Sequence, residues 1–340
     1  MEKIRIAFIK FGGLSSGGTE RWMQTMAANL PKNEFIVDYF YSDSAPCFWT
    51  DNKSIDSVPE REEYLKKNNV NLIKFNIKLI DASSPTRDWI GTDFWNKFDE
   101  NKYNIIQSAK AGPNEYPFCD FKKPNIIDSV HLFGVDKNIN IIWTFFLSEW
   151  SRKVWINSGG DEKRSSVIPG PVNMPATNKN LREKLCIPKE AIVAGFHQRQ
   201  DEFTASDIPL KAFSRIQKED RHFIIMGGAN FYRQQAKDLH LKNIHFLDSN
   251  SNPVMISSFL NTLDIYSHGR KDGETFGTVL AEAMLHGLPC LSHKTGIANA
   301  QKETIGPGGF FAENLEEYTD KLKNYFEDEE LRIKIGNLGK

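Results

Sequence analysis

Lys271-Asp272-Gly273-Glu274-Thr275-Phe276-Gly277-Thr278-Val279-Leu280-Ala281-Glu282-Ala283-Met284 follows an apolar run at 264–267 and leads to another at 289–292. The spacing predicts a strand, a polar loop, a helix over 276–286 and a second strand. Outward from this unit the alternation continues. Strands are expected at 191–196, 222–226 and 244–247, and helices at 208–216, 254–263, 315–326 and 329–335. Toward the N-terminus the pattern runs a first time. Strands are expected at 4–9, 35–41, 105–108, 125–130, 141–147 and 166–168, with a helix over 19–30 that Pro31 ends. Two successive runs of β-α alternation predict an α/β chain of two Rossmann-like, doubly wound domains. The seam falls in the Pro-, Gly- and Asn-rich stretch from Pro169 to Asn180. This divides the chain into 1–170 and 171–325, with 326–340 expected as a C-terminal helix packing back on the first domain. The stretch 42–99 is aromatic and shows no clear period.

In open α/β sheets ligands sit beyond the carboxyl ends of the strands, so the loop before Gly277 is where chemistry is sought. A helix starting at Phe276, Gly277 and Thr278 exposes backbone N–H groups, which with the helix dipole suit an anion such as a diphosphate. Gly277 lets that anion come close to the backbone. Glu274 precedes the helix, and Glu282 lies about 12 Å further along its axis at the helical rise. Two carboxylates that far apart do not act on one atom. They suit the two ends of an elongated ligand with phosphates between them, which is the shape of a sugar nucleotide. Taken alone, Glu-x7-Glu is weak, because an acidic residue near a helix start is commonly a cap.

A chain of 340 residues is long enough for two cores. Its net charge of -1 offers no basic excess to neutralise phosphates, so no nucleic-acid partner is expected. The longest apolar run, 139–147, is interrupted by Asn140 and Thr144 and falls short of the ~20 residues a membrane helix needs. With no signal-like N-terminus, a soluble cytoplasmic protein is expected. Cys47, Cys119, Cys186 and Cys290 form no CxxC pair and read as structural thiols of a reducing compartment. The histidines and carboxylates form no metal cluster, and no Asp-x-Asp pair follows a strand, so neither a metal nor another cofactor is expected.

The quoted stretch resembles the E-x7-E signature of the GT4 family of retaining glycosyltransferases, with Phe-Gly after the first Glu and an ending Glu-Ala-Met then Gly287-Leu288-Pro289. Gly17-Gly18-Thr19-Glu20-Arg21 is similar to the family's first turn and helix. Ser148-Glu149-Trp150-Ser151 and Val167-Ile168-Pro169-Gly170-Pro171-Val172-Asn173 resemble its interdomain passage, and Gly308-Gly309-Phe310 its late Gly-Gly turn. The resemblance implies the GT-B fold, two Rossmann-like domains facing each other across a cleft, with the donor held mainly by the second. It implies transfer of a sugar from a UDP- or GDP-linked donor to a hydroxyl of a glycan, lipid-linked or other acceptor, with retention and without a metal. In this frame Glu274 contacts the donor sugar, Glu282 the ribose, and the backbone at Thr275, Phe276, Gly277 and Thr278 the diphosphate. Arg199 neutralises the leaving diphosphate, as its planar, permanently charged fork suits. His131 faces the sugar from the first domain, and Gly17 and Gly18 let the backbone approach the ligand. Peripheral membrane contact is common in relatives, and nothing in this chain demands it.

The chain departs from the pattern at Thr204, where relatives usually carry a lysine five residues after the arginine. Arg270 or Lys271 is the candidate replacement, on nearness in sequence to Glu274. Bland readings stand beside these. A lone histidine such as His131 is more often structural than catalytic. Trp49, Trp89, Trp95, Trp143, Trp150 and Trp155, with Phe94, suit sugar stacking but are more often core. The spacing Gly12 to Gly17 lacks the Lys-Ser/Thr of a P-loop, and GxGxxG is absent, which argues against a nicotinamide oxidoreductase. A nucleotide-sugar epimerase or hydrolase of the same fold would turn over the donor without an acceptor. A non-catalytic nucleotide-sugar-binding protein would bind without turnover, and Thr204 favours it.

Overall fold

The computed structural model describes residues 2–15, 17–47 and 53–340; Ser16 and Trp49 lie outside the described residues. Contacts divide the chain into two compact units, Met1–Pro171 and Val172–Lys340.

The first unit is built on β1 (Ile4–Ile9), β2 (Phe35–Tyr41), β3 (Asn71–Lys74), β4 (Ile105–Lys110), β5 (Ile126–Val130), β6 (Ile141–Phe146) and β7 (Ser165–Val167). They form one sheet in the order β7-β6-β5-β4-β1-β2-β3, every pair parallel. Successive residues of a strand face opposite sides, and both sides of this sheet are covered. Ile6 and Phe8 pack with Trp22, Met23 and Ala27 of helix α1 (Gly18–Asn29). Ala7 and Ile9 face an aromatic cluster that includes Phe40, Phe75, Trp89, Phe94, Phe98 and Tyr103. In the aromatic stretch without a period, Phe75, Trp89, Phe94 and Phe98 are therefore core, while Trp95 is exposed. Trp89 stacks on Phe75 at 5.1 Å and is 6% exposed. Its chain forms two short antiparallel pairs, helix α2 (Pro59–Lys67) and β3, pieces too short for a period to emerge. Helix α3 (Glu149–Asn157) follows β6, with Ser148 as its cap.

The second unit carries β8 (Ile192–Gln198), β9 (Arg221–Gly227), β10 (Ile244–Leu247), β11 (Ile265–Ser267), β12 (Cys290–His293) and β13 (Gly309–Ala312). Their order is β10-β9-β8-β11-β12-β13, again with every pair parallel. Between the strands run α4 (Ile208–Ile216), α5 (Asn230–Asp238), α6 (Pro253–Leu260) and α7 (Thr278–Leu285), followed by α8 (Leu315–Glu327) and α9 (Glu329–Gly339). α4 buries Leu210, Ala212 and Phe213, and α8 buries Tyr318, Leu322 and Tyr325, in a single core. The last helix joins the core of the second unit. Ile335 joins that unit's core, and a side chain at Gly336 would meet the Gly287 carbonyl at 2.0 Å. Both units thus have the Rossmann-like winding, in which the direction of travel reverses once: between β1 and β4 in the first, between β8 and β11 in the second.

Candidate functional site

The reversal at β8 and β11 builds the site of the second unit. The strands pair Ala194 with Ile265 and Gly195 with Tyr266. Side by side, their carboxyl ends release His197-Gln198-Arg199 and His268 with the loop that carries Glu274. That loop is held by residues well downstream of it. Ala298 N–H donates to the Asp272 carbonyl (3.0 Å), Glu274 N–H to Gln301 Oε1 (3.0 Å) and Ala300 N–H to the Glu274 carbonyl (3.0 Å), while the Thr304 hydroxyl donates to the Phe276 carbonyl. At Gly273, φ is +70° and a Cβ would sit 1.8 Å from the Ala298 carbonyl, so the tight approach requires glycine.

Gly277, at φ 95° and ψ 61°, is the left-handed residue that starts α7 at Thr278, later than the pattern at 276 suggested. The axial rise expected between Glu274 and Glu282 therefore applies only from Thr278 onward. No side chain caps this helix. Among the described residues, the N–H groups of Phe276, Gly277, Thr278 and Val279 have no acceptor. Four such donors at one helix start, around a residue without a side chain, make an anion site.

Beside it stand the charged groups. Glu274 keeps 17% of its side chain exposed; its Oε1 lies 3.3 Å from His268 Nε2 and 3.5 Å from Arg270 Nε. Burial pushes the Glu274 carboxyl up. The His268 hydrogen bond and the charges of Arg270 and Arg199 outweigh this and hold it below the usual carboxylate range. Arg270 forks onto Asp272 at 2.9 and 2.5 Å. Arg199 is exposed, and among the described residues its guanidinium has no hydrogen-bond or ion-pair partner. Arg199, Glu274 and residues 276–278 are thus brought together at one strand edge.

Glu282 faces inward from α7. It is 1% exposed, and its Oε2 lies 3.0 Å from His197 Nε2. His197 Nδ1 is in turn 3.3 Å from the Tyr266 hydroxyl. Thr204 is 7% exposed, and its hydroxyl is internal, donating to the Asp201 carbonyl (3.1 Å) and accepting from Gln198 Nε2 (2.8 Å). The two candidate replacements for the lysine are its neighbours in space: Lys271 N–H donates to the Thr204 carbonyl (3.0 Å), and Arg270 pairs with Ala205 in an isolated bridge. Arg270 is already engaged by Asp272 and Glu274, whereas Lys271 is exposed. The sequence reading missed His268, Arg270 as a partner of Glu274, His197 as a partner of Glu282, and Gln301. A search of the first residues past each strand end would have found His268, and His197 sits two residues before Arg199.

In the first unit, Gly17, Gly18 and His131 lie at the carboxyl edge of the sheet, where Trp22 of α1 meets the His131 ring edge-on at 5.3 Å. Neither Gly17 nor Gly18 has a positive φ; the turn's left-handed residue is Gly12, at +84°. A Cβ at Gly17 would lie 2.3 Å from Glu20 Oε2, while one at Gly18 would meet nothing within 4 Å. His131 is 9% exposed, and its N–H donates to the Lys110 carbonyl at 2.9 Å. Burial first, then the Lys10 charge, lowers its pKa from 6.5 to about 3, so the ring is neutral at physiological pH. A depressed folded-state pKa means that the unfolded chain takes up the proton first on acidification. The stability it confers is full above pH 6.5 and falls as pH drops toward 3, by up to ~1.4 kcal/mol per pH unit. Urea unfolding of the wild type and of His131→Gln at pH 7, 6, 5 and 4 should show the variant's slope smaller by one proton's worth. Equal slopes would show that His131 titrates normally in the fold. Under it, Lys110 is buried with Asp128 at 3.4 Å and with Asp136, an ion cluster that the sequence pattern did not announce.

Among the described residues no group of three His, Cys, Asp or Glu is placed to hold a metal ion, and no helix is long and apolar enough to cross a membrane.

Comparison with curated protein sequences gives no match. Solved structures are similar over nearly the whole chain. The structure of Alr3699/HepE from Anabaena in complex with UDP and glucose has a TM-score of 0.71 at 18% identity, covering 99% of this chain and 93% of that one. A glycosyltransferase from Rickettsia africae has a TM-score of 0.73 at 15% identity, covering 100% and 93%. WaaG, a glycosyltransferase involved in lipopolysaccharide biosynthesis, has a TM-score of 0.69 at 14% identity, covering 98% and 94%. At these identities the likeness establishes the fold, the two-domain GT-B architecture. Residues 177–340, nearly all of the second unit, match the family of glycosyl transferases group 1. It is thus the second unit, with its Glu274 loop and the helix that starts behind Gly277, that matches the group 1 glycosyl transferases.

Proposed function

We propose that this glycosyltransferase takes its sugar from a nucleoside diphosphate sugar and passes it to an acceptor hydroxyl with retention of configuration and without a metal. The observation that carries this reading is the helix start at Gly277. Its unpaired N–H groups stand beside the unpartnered Arg199 and the ionised Glu274, so that one strand edge offers donors for a diphosphate and an acceptor for a sugar hydroxyl. Alr3699/HepE binds UDP, which has such a diphosphate, and UDP-glucose, which has the diphosphate and the sugar hydroxyls. In the reaction proposed, the bond from the anomeric carbon to the diphosphate oxygen breaks while the acceptor oxygen attacks from the same face. The acceptor's proton passes to the departing phosphate oxygen. Arg199 and the helix start stabilise the charge that develops there, a term that needs no metal. Glu282 takes the ribose hydroxyls.

The test is a thermal-shift panel with UDP, GDP, ADP and NAD, followed by the matching sugar nucleotides. A ligand that binds only the native state raises the midpoint. A shift from one nucleoside diphosphate, and an α-configured product from an α-configured donor by proton NMR, is the expected result. A shift from NAD alone would overturn the reading. Thr204, whose hydroxyl points inward where relatives carry a lysine, favours one second reading, a protein that binds the donor without transfer. Binding with no product from a range of acceptors would select it.

A further inference from the structure

Glu274 is held on one side only. Oε1 has His268 Nε2 at 3.3 Å and Arg270 Nε at 3.5 Å. Among the described residues, Oε2 has no hydrogen-bond partner. Both holding groups are themselves fixed. His268 is 3% exposed, and its Nδ1 lies 2.9 Å from the Ser292 hydroxyl of β12. Its carbonyl accepts from the Tyr318 hydroxyl of α8 at 2.9 Å, a hydroxyl that also meets Ser267 Oγ at 2.8 Å. Arg270 is locked by its fork onto Asp272. A glutamate side chain loses rotamer freedom when it is pinned, and that loss is then no longer charged against ligand binding.

We propose that His268 and Arg270 are positioning residues for Glu274: they hold its Oε1 so that Oε2 is presented, ionised, to a hydroxyl of the donor sugar. The inference rests on the reading of Glu274 as the sugar-contacting carboxylate. With Nε2 facing a carboxylate, the histidine carries its proton on Nε2, and Nδ1 accepts from Ser292. The Ser292 and Tyr318 contacts bring the order of the second unit's core to the sugar contact. An imidazole N–H and a guanidinium on the same oxygen also keep the carboxylate an acceptor near neutral pH, in line with its lowered pKa.

Two measurements test it. The first needs no ligand. Spectra of the chain labelled with 15N-histidine, with His268 assigned by the resonance missing from His268→Gln, should show the Nε2–H tautomer at pH 7. That signature should shift in Glu274→Ala. A proton on Nδ1, or no response to Glu274→Ala, overturns the proposal. The second compares affinity for UDP with that for UDP-glucose, and for GDP with GDP-mannose. His268→Ala should bind the nucleoside diphosphate within about twofold of wild type and lose the added affinity of the sugar, about tenfold. His268→Gln, whose amide N–H reaches the position of Nε2, should restore most of it. If His268→Gln does not restore it, or if His268→Ala weakens the nucleoside diphosphate equally, His268 only packs the core and the proposal fails. If the sugar's added affinity survives Glu274→Ala, the underlying assignment of Glu274 fails instead, whatever the tautomer.

Discussion

Arg199→Ala is expected to lower kcat about 10²–10³-fold, the range seen when one preorganised charge-stabilising donor is removed, with the melting temperature unchanged. The two halves of this expectation have separate grounds. Arg199 is exposed at the end of β8, and its guanidinium has no partner among the described residues, so removing it breaks nothing in the fold. Arg199 nevertheless leaves the carboxyl end of β8 next to β11, the strand whose following loop carries Glu274, and its charge helps to hold that carboxyl low. With a threonine at position 204, Arg199 has no lysine of the usual spacing to share the leaving charge, so the loss should be near the upper end. Arg199→Lys should recover only part, because a point charge replaces a fork that matches two phosphate oxygens. Steady-state kinetics with the donor found by the ligand panel, beside urea unfolding, checks both halves. Unchanged turnover would move the leaving-group role elsewhere, with exposed Lys271 the first place to look.

Glu282→Ala should act on both stability and binding. The carboxylate is 1% exposed and hydrogen-bonded at 3.0 Å to His197, so truncation leaves a cavity and a polar ring without its partner. A cost of about 2–4 kcal/mol in unfolding free energy is expected. The same variant should lose the thermal shift from the nucleoside diphosphate. Glu282→Gln separates the effects. Its amide oxygen still accepts from His197, so the fold should be largely restored. The charge-assisted bonds to a ribose would not be, and the nucleoside diphosphate should bind about tenfold more weakly. If Glu282→Gln binds as wild type does, Glu282 is a structural carboxylate of the second unit's core.

The candidate site was legible in part, for physical reasons. Residues 191–293 alternate clearly because each strand of a parallel sheet is buried on both faces and each helix on one, which leaves apolar runs and stripes in the chain. Gly277 and Glu274 were legible because a helix start and its anion site are local, made within a few residues. The aromatic stretch 42–99 was not legible. Phe75, Trp89 and Phe94 meet one another as core through short irregular pieces with no period to detect. The Gly17-Gly18 turn was placed correctly as the start of a helix, but the backbone that needs glycine is at Gly12, five residues earlier than Gly17.

Readable from the chain alone were the α/β class, the two windings and the candidacy of Glu274, Glu282, Gly277 and Arg199. These follow from periodicity, turn residues and local spacing, which act over a few residues. Only the tertiary structure decided what those residues touch. It set Arg199 beside Glu274 by pairing β8 with β11, and it closed contacts between His197 and Glu282, 85 residues apart, and between Glu274 and Gln301, 27 apart. It turned Glu282 inward and gave Glu274 one held oxygen and one unheld oxygen. Strand order is fixed by how helices and sheets cover one another's apolar faces, a global packing condition that no local stretch of sequence contains.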